Sequence, residues 1–89
     1  PQALTLLNND FSIRMARSLA ERARREAGDD ITAQIDRAIW LTFGRAPVED
    51  ERKSLVAHFS REREKHGPER ALVEICRALL NANEFVYVD

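Results

Sequence analysis

Cysteine, glycine, proline and aromatic residues are all scarce in this sequence. Its one cysteine, Cys76, cannot form a disulfide within the chain, and no His, Cys or Lys stands at helical spacing to activate it. We therefore predict a small buried hydrophobic side chain rather than a reactive or metal-binding thiol. The low glycine and proline content, three of each, is typical of a globular, helix-rich chain and not of a disordered or fibrous one.

Net charge and long apolar runs are also missing. The 14 Lys and Arg residues and 15 Asp and Glu residues leave a formal charge of −1, which gives no general attraction to nucleic acid or to an anionic membrane. No apolar run approaches the ~18 residues of a membrane span, and no signal peptide is recognisable. We expect no nucleic-acid partner and no membrane partner, and the composition does not indicate an oligomeric state.

Helical periodicity is the main pattern in the sequence. Residues 1–7 predict a short helix, and further helices are predicted from Asn9 or Asp10 to about Ala27, from Ile31 to about Phe43, from after Val48 to about His66, and from Pro68 to Leu80. The fold class that follows is all-α, a compact small bundle of about five helices in a single domain over residues 1–89. Val48 is an unusual residue before a helix because its side chain has no acceptor for the first backbone N–H groups.

Apolar residues on the predicted helices define the expected core. The last helix should form its wall through Leu72, Ile75, Cys76, Leu79 and Leu80, which share one face. The helix that begins at Asn9 or Asp10 should turn inward Phe11, Met15, Ala16, Leu19, Ala20, Ala23 and Ala27. For Trp40 we favour a core or core-edge position with its N–H bonded, and the alternative is an exposed anchor for a partner.

The extended C-terminal tail, residues 81–89, alternates in a strand-like pattern. Phe85 and Tyr87 fall on one side, and Val86 and Val88 on the other. Because no other segment reads as a strand, we expect the tail to lie across the helices or to extend a sheet elsewhere in a parent protein or partner. Removal of Phe85 through Asp89 should destabilise the chain little unless the tail packs back on the helices.

No catalytic, cofactor-binding or metal-binding constellation is present in the sequence. His58 and His66 differ by about 80° around a helix axis, which is poor geometry for one metal ion. Polar loop residues are the candidates for a contribution to an active site of a parent protein, and they are Arg45, Asn83 and Glu84. The alternatives are that Arg45 clamps helix C-terminal carbonyls and that Asn81 or Asn83 caps a helix end.

One helix carries a cluster of arginines, which raises a third possibility. These residues are Arg14, Arg17, Arg22, Arg24 and Arg25. They could contact the phosphates of a nucleic acid. We favour an ordinary solvated face, because the cluster has no interleaved aromatic residues and no helix-turn-helix spacing supports it.

Three stretches of the sequence resemble a known family. They are residues 1–8 (PQALTLLN), residues 43–47 (FGRAP) and residues 76–89 (CRALLNANEFVYVD). Together they resemble the C-terminal part of the planctomycete-type domain of unknown function numbered fifteen fifty-three, in the family's order. Val48 departs from the Thr or Ser that relatives tend to have, which bears on the start of the following helix.

The resemblance implies a context and no chemistry. Family members are large, usually exported proteins of planctomycetes and related bacteria, so an exported or periplasmic location is expected. The chain is then expected to be a piece from the C-terminus of a larger protein. Its expected role is a non-catalytic helical module that packs against other domains of that parent, with no cofactor, and the residues expected to take part are Arg45, Asn83, Glu84, Phe85 and Tyr87.

Overall fold

A computed structural model describes residues 4–5, 9–83 and 86–87. These residues form strand β1 (Leu4–Thr5), helices α1 (Asn9–Ala27), α2 (Ile31–Phe43), α3 (Glu49–His66) and α4 (Pro68–Asn83), and strand β2 (Val86–Tyr87). The predicted all-α fold class is confirmed. The number of helices in the described part of the chain is four and not about five.

The short first helix predicted at residues 1–7 is wrong. Leu4–Thr5 is extended and pairs antiparallel with Val86–Tyr87, with Leu4 opposite Tyr87 and Thr5 opposite Val86. A helix of seven residues would be marginal, because its nucleation is costly and few hydrogen bonds follow it. Pairing with Val86–Tyr87 instead gives partners to backbone groups of Leu4–Thr5.

This pairing also corrects the expectation that the tail has no partner within the chain. The alternation after Leu80 did predict a strand, and β2 is that strand. Its partner was missed because two residues are too few to display a period of two. The helix before it also continues further than expected, to Asn83.

Helix α2 owes its sharp boundaries to its two caps. At its start the Asp30 side chain accepts a hydrogen bond from the Ala33 N–H at 3.0 Å. At its end Gly44 adopts a left-handed conformation with φ 70°, and its N–H donates to the Trp40 carbonyl at 2.8 Å. These caps fix the length of the helix that carries Trp40.

Helix α4 packs against each of the other three helices, which confirms it as the wall of the core. Leu72, Ile75, Cys76 and Leu79 are buried as predicted, and Leu80 is partly buried. The complete set of buried apolar residues in the described chain is Ala16, Ala20, Ala23, Ile35, Ala38, Ile39, Phe59, Ala71, Leu72, Val73, Ile75, Cys76 and Leu79.

The inner face of α1 is narrower than predicted. Ala16, Ala20 and Ala23 are fully buried, whereas Phe11 and Met15 are 40% and 42% exposed. Met15 precedes Ala16 by one residue and is therefore turned about 100° away from the alanine stripe. The alanines lie fully within the core, Leu19 is partly buried against it, and Phe11 and Met15 lie on the flank of the stripe.

No helix among the described residues is long and apolar enough to cross a membrane.

Candidate interaction surface

The junction between α2 and α3 is held by Arg45. Its guanidinium donates two hydrogen bonds to the Glu51 carboxylate, at 3.0 and 2.9 Å, and one to the Ala46 carbonyl at 3.1 Å. It also lies 5.1 Å from the centre of the Phe43 ring. The predicted clamp on helix C-terminal carbonyls is replaced by a bidentate ion pair with the next helix.

Glu51 in turn supplies part of the missing cap of α3. Its Oε1 accepts a hydrogen bond from the Val48 N–H at 3.3 Å, which is one half of a capping box. Val48 cannot provide the other half because its side chain has no acceptor. The hydrogen bond from Arg45 lowers the pKa of Glu51, although the partial burial of the Glu51 carboxylate acts to raise it.

Arg52 makes a second bidentate ion pair at this junction, between α3 and α2. Its Nε and a terminal nitrogen donate to the two carboxylate oxygens of Asp36 at 2.9 and 3.0 Å, and its other terminal nitrogen donates to Glu49 at 2.6 Å. The pKa of Arg52 is raised, mainly by the hydrogen bond to Asp36. Both oxygens of Asp36 are therefore engaged within the molecule.

Trp40 lies in a groove beside this junction, which overturns its predicted place in the core or at the core edge. The side chain is 50% exposed. Ile39, its neighbour in sequence, faces the core, and one further residue turns Trp40 about 100° away. The groove measures about 500 Å³ and is lined by Ala27, Ala33, Asp36, Arg37, Trp40, Ala46 and Pro47.

Arg37 is the cation of this groove, and it is held loosely. Its Nε lies 3.6 Å from Glu26 Oε1, a distance too long for a good hydrogen bond. The other oxygen of Glu26 already accepts from Arg22 at 2.7 Å. That hydrogen bond is the main reason that the pKa of Glu26 is lowered, and Arg37 adds a smaller attraction.

A second groove, between α1 and α4, is lined mostly by charged residues. It measures about 440 Å³, and its charged lining consists of Arg17, Glu21, Arg24, Glu69 and Arg70. Four of the five are exposed and only Arg24 is partly buried, and Arg70 pairs with Glu74 at 2.7 Å. Side chains so exposed interact weakly. The size of the groove is that of a ligand site, but its surface is a solvated one with both signs of charge.

A contact on α3 was missed by the sequence reasoning. Glu62 lies between His58 and His66, with each imidazole Nε2 3.7 Å from a different carboxylate oxygen. The spacing of four residues on either side would have revealed it. Within the described residues, however, no three His, Cys, Asp or Glu side chains are arranged to hold a metal ion.

The remaining predicted site residues lie largely outside the described residues. Glu84 and Phe85 are not among the described residues. Asn83 ends α4 and Tyr87 lies in β2, and of these two only the backbone is described. Their part in an interaction therefore stays a prediction.

Fold and surface together define a small four-helix module with a half-exposed tryptophan and no assembled catalytic group among its described residues. The chain belongs to the family described as PSD1, protein of unknown function (DUF1553), whose family model matches residues 1–59. This confirms the predicted resemblance. The match includes the stretches at 1–8 and 43–47 and ends before the one at 76–89. No curated protein and no solved structure matches the chain.

Proposed function

We propose that the chain is a non-catalytic helical module that packs against, or positions, other domains of a larger exported bacterial protein. The observation that carries this proposal is the exposure of Trp40 in an apolar groove on the outer side of α2. Tryptophan is enriched among the few residues that contribute most of the binding free energy at protein interfaces. A half-exposed indole on a small module is therefore best explained as a contact surface.

Two bidentate ion pairs between α2 or the turn after it and α3 support this role. Arg45 with Glu51, and Arg52 with Asp36, fix the α2–α3 junction beside the groove. Bidentate ion pairs hold a fixed geometry, and a preformed surface loses less entropy when it docks. The groove is thus presented by a stable framework.

A contribution to an active site of the parent is the other function that the loop residues suggested. Arg45 is engaged with Glu51 and the Ala46 carbonyl, which favours a structural role for it. The Arg-rich face of α1 has acidic neighbours in its groove, and Arg22 is paired with Glu26. We therefore propose the packing module and neither alternative.

Cysteine footprinting tests the proposal directly. Ala46 is exposed in the groove, so Ala46→Cys places a thiol at its rim. We expect maleimide labelling of this position, measured by mass spectrometry, to be about tenfold or more slower in the intact parent than in the 89-residue chain. Ser60→Cys, on exposed α3 surface, is the control and should label at similar rates in both. Equal rates at Ala46→Cys would overturn the proposal.

A further inference from the structure

We infer that the Trp40 groove receives a segment of another domain of the parent that presents an apolar side chain next to a carboxylate. This inference rests on the proposed packing function and adds the chemistry of the partner. It follows from two properties of the groove, an apolar lining and one guanidinium, that of Arg37, whose contact with Glu26 is too long for a good hydrogen bond.

The apolar part of the groove has the right form for one large side chain. Around the indole of Trp40 the lining residues are small or rigid, namely Ala27, Ala33, Ala46 and Pro47. Trp40 remains 50% exposed, and the groove of about 500 Å³ lies within the range of sites that bind small organic groups. An apolar side chain placed there would remove both its own surface and that of Trp40 from water.

The charged part of the groove contains one acid and one base, which differ in how they are bound within the molecule. Asp36 accepts hydrogen bonds from Arg52 at both carboxylate oxygens, at 2.9 and 3.0 Å, and Arg52 is shared with Glu49. Arg37 has only the 3.6 Å contact with Glu26. On α2, Arg37 and Trp40 are three residues apart and therefore lie on the same face.

Glu26 shows how a carboxylate of the partner would be held. It already lies beside Arg37, but its short hydrogen bond is with Arg22 at 2.7 Å. A carboxylate from outside can approach Arg37 to hydrogen-bonding distance, where a charge-assisted bond is strong. Glu26 is then a competitor for Arg37, and its removal should tighten the binding of an acidic partner.

The test uses the fact that Trp40 is the single tryptophan of the chain. Its indole N–H gives one NMR cross-peak, which can be followed during titration with acetyl-Glu-Leu-Glu-Leu-Glu-amide and with the lysine counterpart, acetyl-Lys-Leu-Lys-Leu-Lys-amide. We expect a saturable shift with the acidic peptide at millimolar concentration and binding at least about fivefold weaker with the basic one.

Substitutions of Arg37, in the groove, and of Glu26, beside it, test the expected preference for an acidic peptide. Arg37→Glu should lower the affinity for the acidic peptide by about tenfold, because it replaces the attracting charge by a repelling one. The chain should then prefer the basic peptide. Glu26→Gln should raise the affinity for the acidic peptide by about twofold to fivefold. Arg61→Glu makes the same charge change on the exposed surface of α3 and should alter neither affinity.

Several results would overturn the inference. These are the absence of any saturable shift, equal affinity for the two peptides, or an equal effect of Arg37→Glu and Arg61→Glu. The footprinting result at Ala46→Cys is independent of all three. Protection there without a charge preference would leave the packing function standing and remove only the proposed partner chemistry, whereas loss of protection would remove the packing function itself.

Discussion

At the scale of single residues, Arg45 and Glu51 determine how the chain enters α3. One carboxylate receives the guanidinium of Arg45 and the N–H of Val48, so it joins the turn after α2 to the first turn of α3. The position of Arg45 as a notable loop residue was visible in the sequence. Its partner was not, because the residue six positions later faces it only once Gly44 and Pro47 have turned the chain.

Glu51→Gln should destabilise the chain at neutral pH and matter less in acid. The pKa of Glu51 is lowered in the folded state, so its ionised form stabilises the fold above the unfolded pKa of about 4.3. That contribution is lost as the pH falls through the folded pKa. We expect thermal unfolding followed by circular dichroism to show a Tm lower by about 2–5 °C at pH 7.

The difference between Glu51→Gln and the wild type should shrink at pH 3. Glu64→Gln, at an exposed position of the same helix, is the matched control and should leave the Tm within about 1 °C at both pH values. An effect of Glu51→Gln that is the same at pH 7 and pH 3 would show that the ion pair does not hold the turn.

At the scale of helices and strands, the start of α3 lacks a side-chain cap at Val48. Val48 has the extended conformation of an N-cap residue, with φ −83° and ψ 148°, and yet no side-chain acceptor. Its side chain is 61% exposed, so little packing depends on it. The acidic first turn, Glu49, Asp50 and Glu51, offsets part of the loss through the helix dipole.

Val48→Thr should therefore stabilise the protein. A threonine hydroxyl can accept from the backbone N–H at Glu51 and complete the capping box, which is worth about 0.5–2 kcal/mol. Urea unfolding would measure the gain. Val48→Ala supplies no acceptor and should give no comparable increase, and equal stabilities of the two variants would contradict the capping argument.

The pairing of β1 with β2 changes the expectation for the tail. Because Val86–Tyr87 pairs with Leu4–Thr5, deletion of residues 84–89 should remove two paired positions and cost about 0.5–2 kcal/mol. Deletion of residues 88–89 alone keeps the paired positions and is the control. Urea unfolding of both truncations would decide, and indistinguishable stabilities would mean that the pairing contributes nothing.

The sequence predicted elements better than it predicted their contacts. Three of the four helices were predicted nearly to the residue, because Gly28, Gly44 and the Gly67–Pro68 pair separate the helical segments, whereas α4 ends three residues later than predicted, at Asn83. The β pair was missed because its strands are short and more than 80 residues apart in sequence. Trp40 was placed wrongly because an apolar last turn contains more large side chains than the core beneath it can receive.

At the scale of the whole molecule, Cys76 lies in the core to which all four helices contribute. It is fully buried in the middle of α4, the helix that contacts all the others. The alanine stripe of α1 and residues of α2 and α3 belong to the same core cluster. The apolar spacing of α4 predicted this position correctly, since its period alone identifies the inward face.

Cys76 should therefore report the opening of the whole bundle. Burial raises the pKa of its thiol to about 12, against an attraction from Arg24 that lowers it. A thiol that stays protonated and shielded does not react as a nucleophile, so labelling should require unfolding. We expect reaction with a disulfide reagent at pH 8 to be about 10³-fold or more slower in buffer than in urea.

The same burial predicts a loss of stability in alkali. The folded pKa of Cys76 lies above the ordinary thiol value of 9.0, so the unfolded state releases this proton first. The stabilising contribution is complete below about pH 9 and declines as the pH rises toward 12. Cys76→Ala should flatten this alkaline decline in urea unfolding, compared with the wild type at the same pH values.

A second variant separates local from global opening. Ala57→Cys in the Cys76→Ala background places the only thiol on the exposed side of α3, and it should react at nearly the same rate in buffer and in urea. If Cys76 in the wild type reacted in buffer within about tenfold of its rate in urea, α4 would have to open without the rest of the bundle. That result would contradict the view that one core, with α4 at its centre, holds the four helices together.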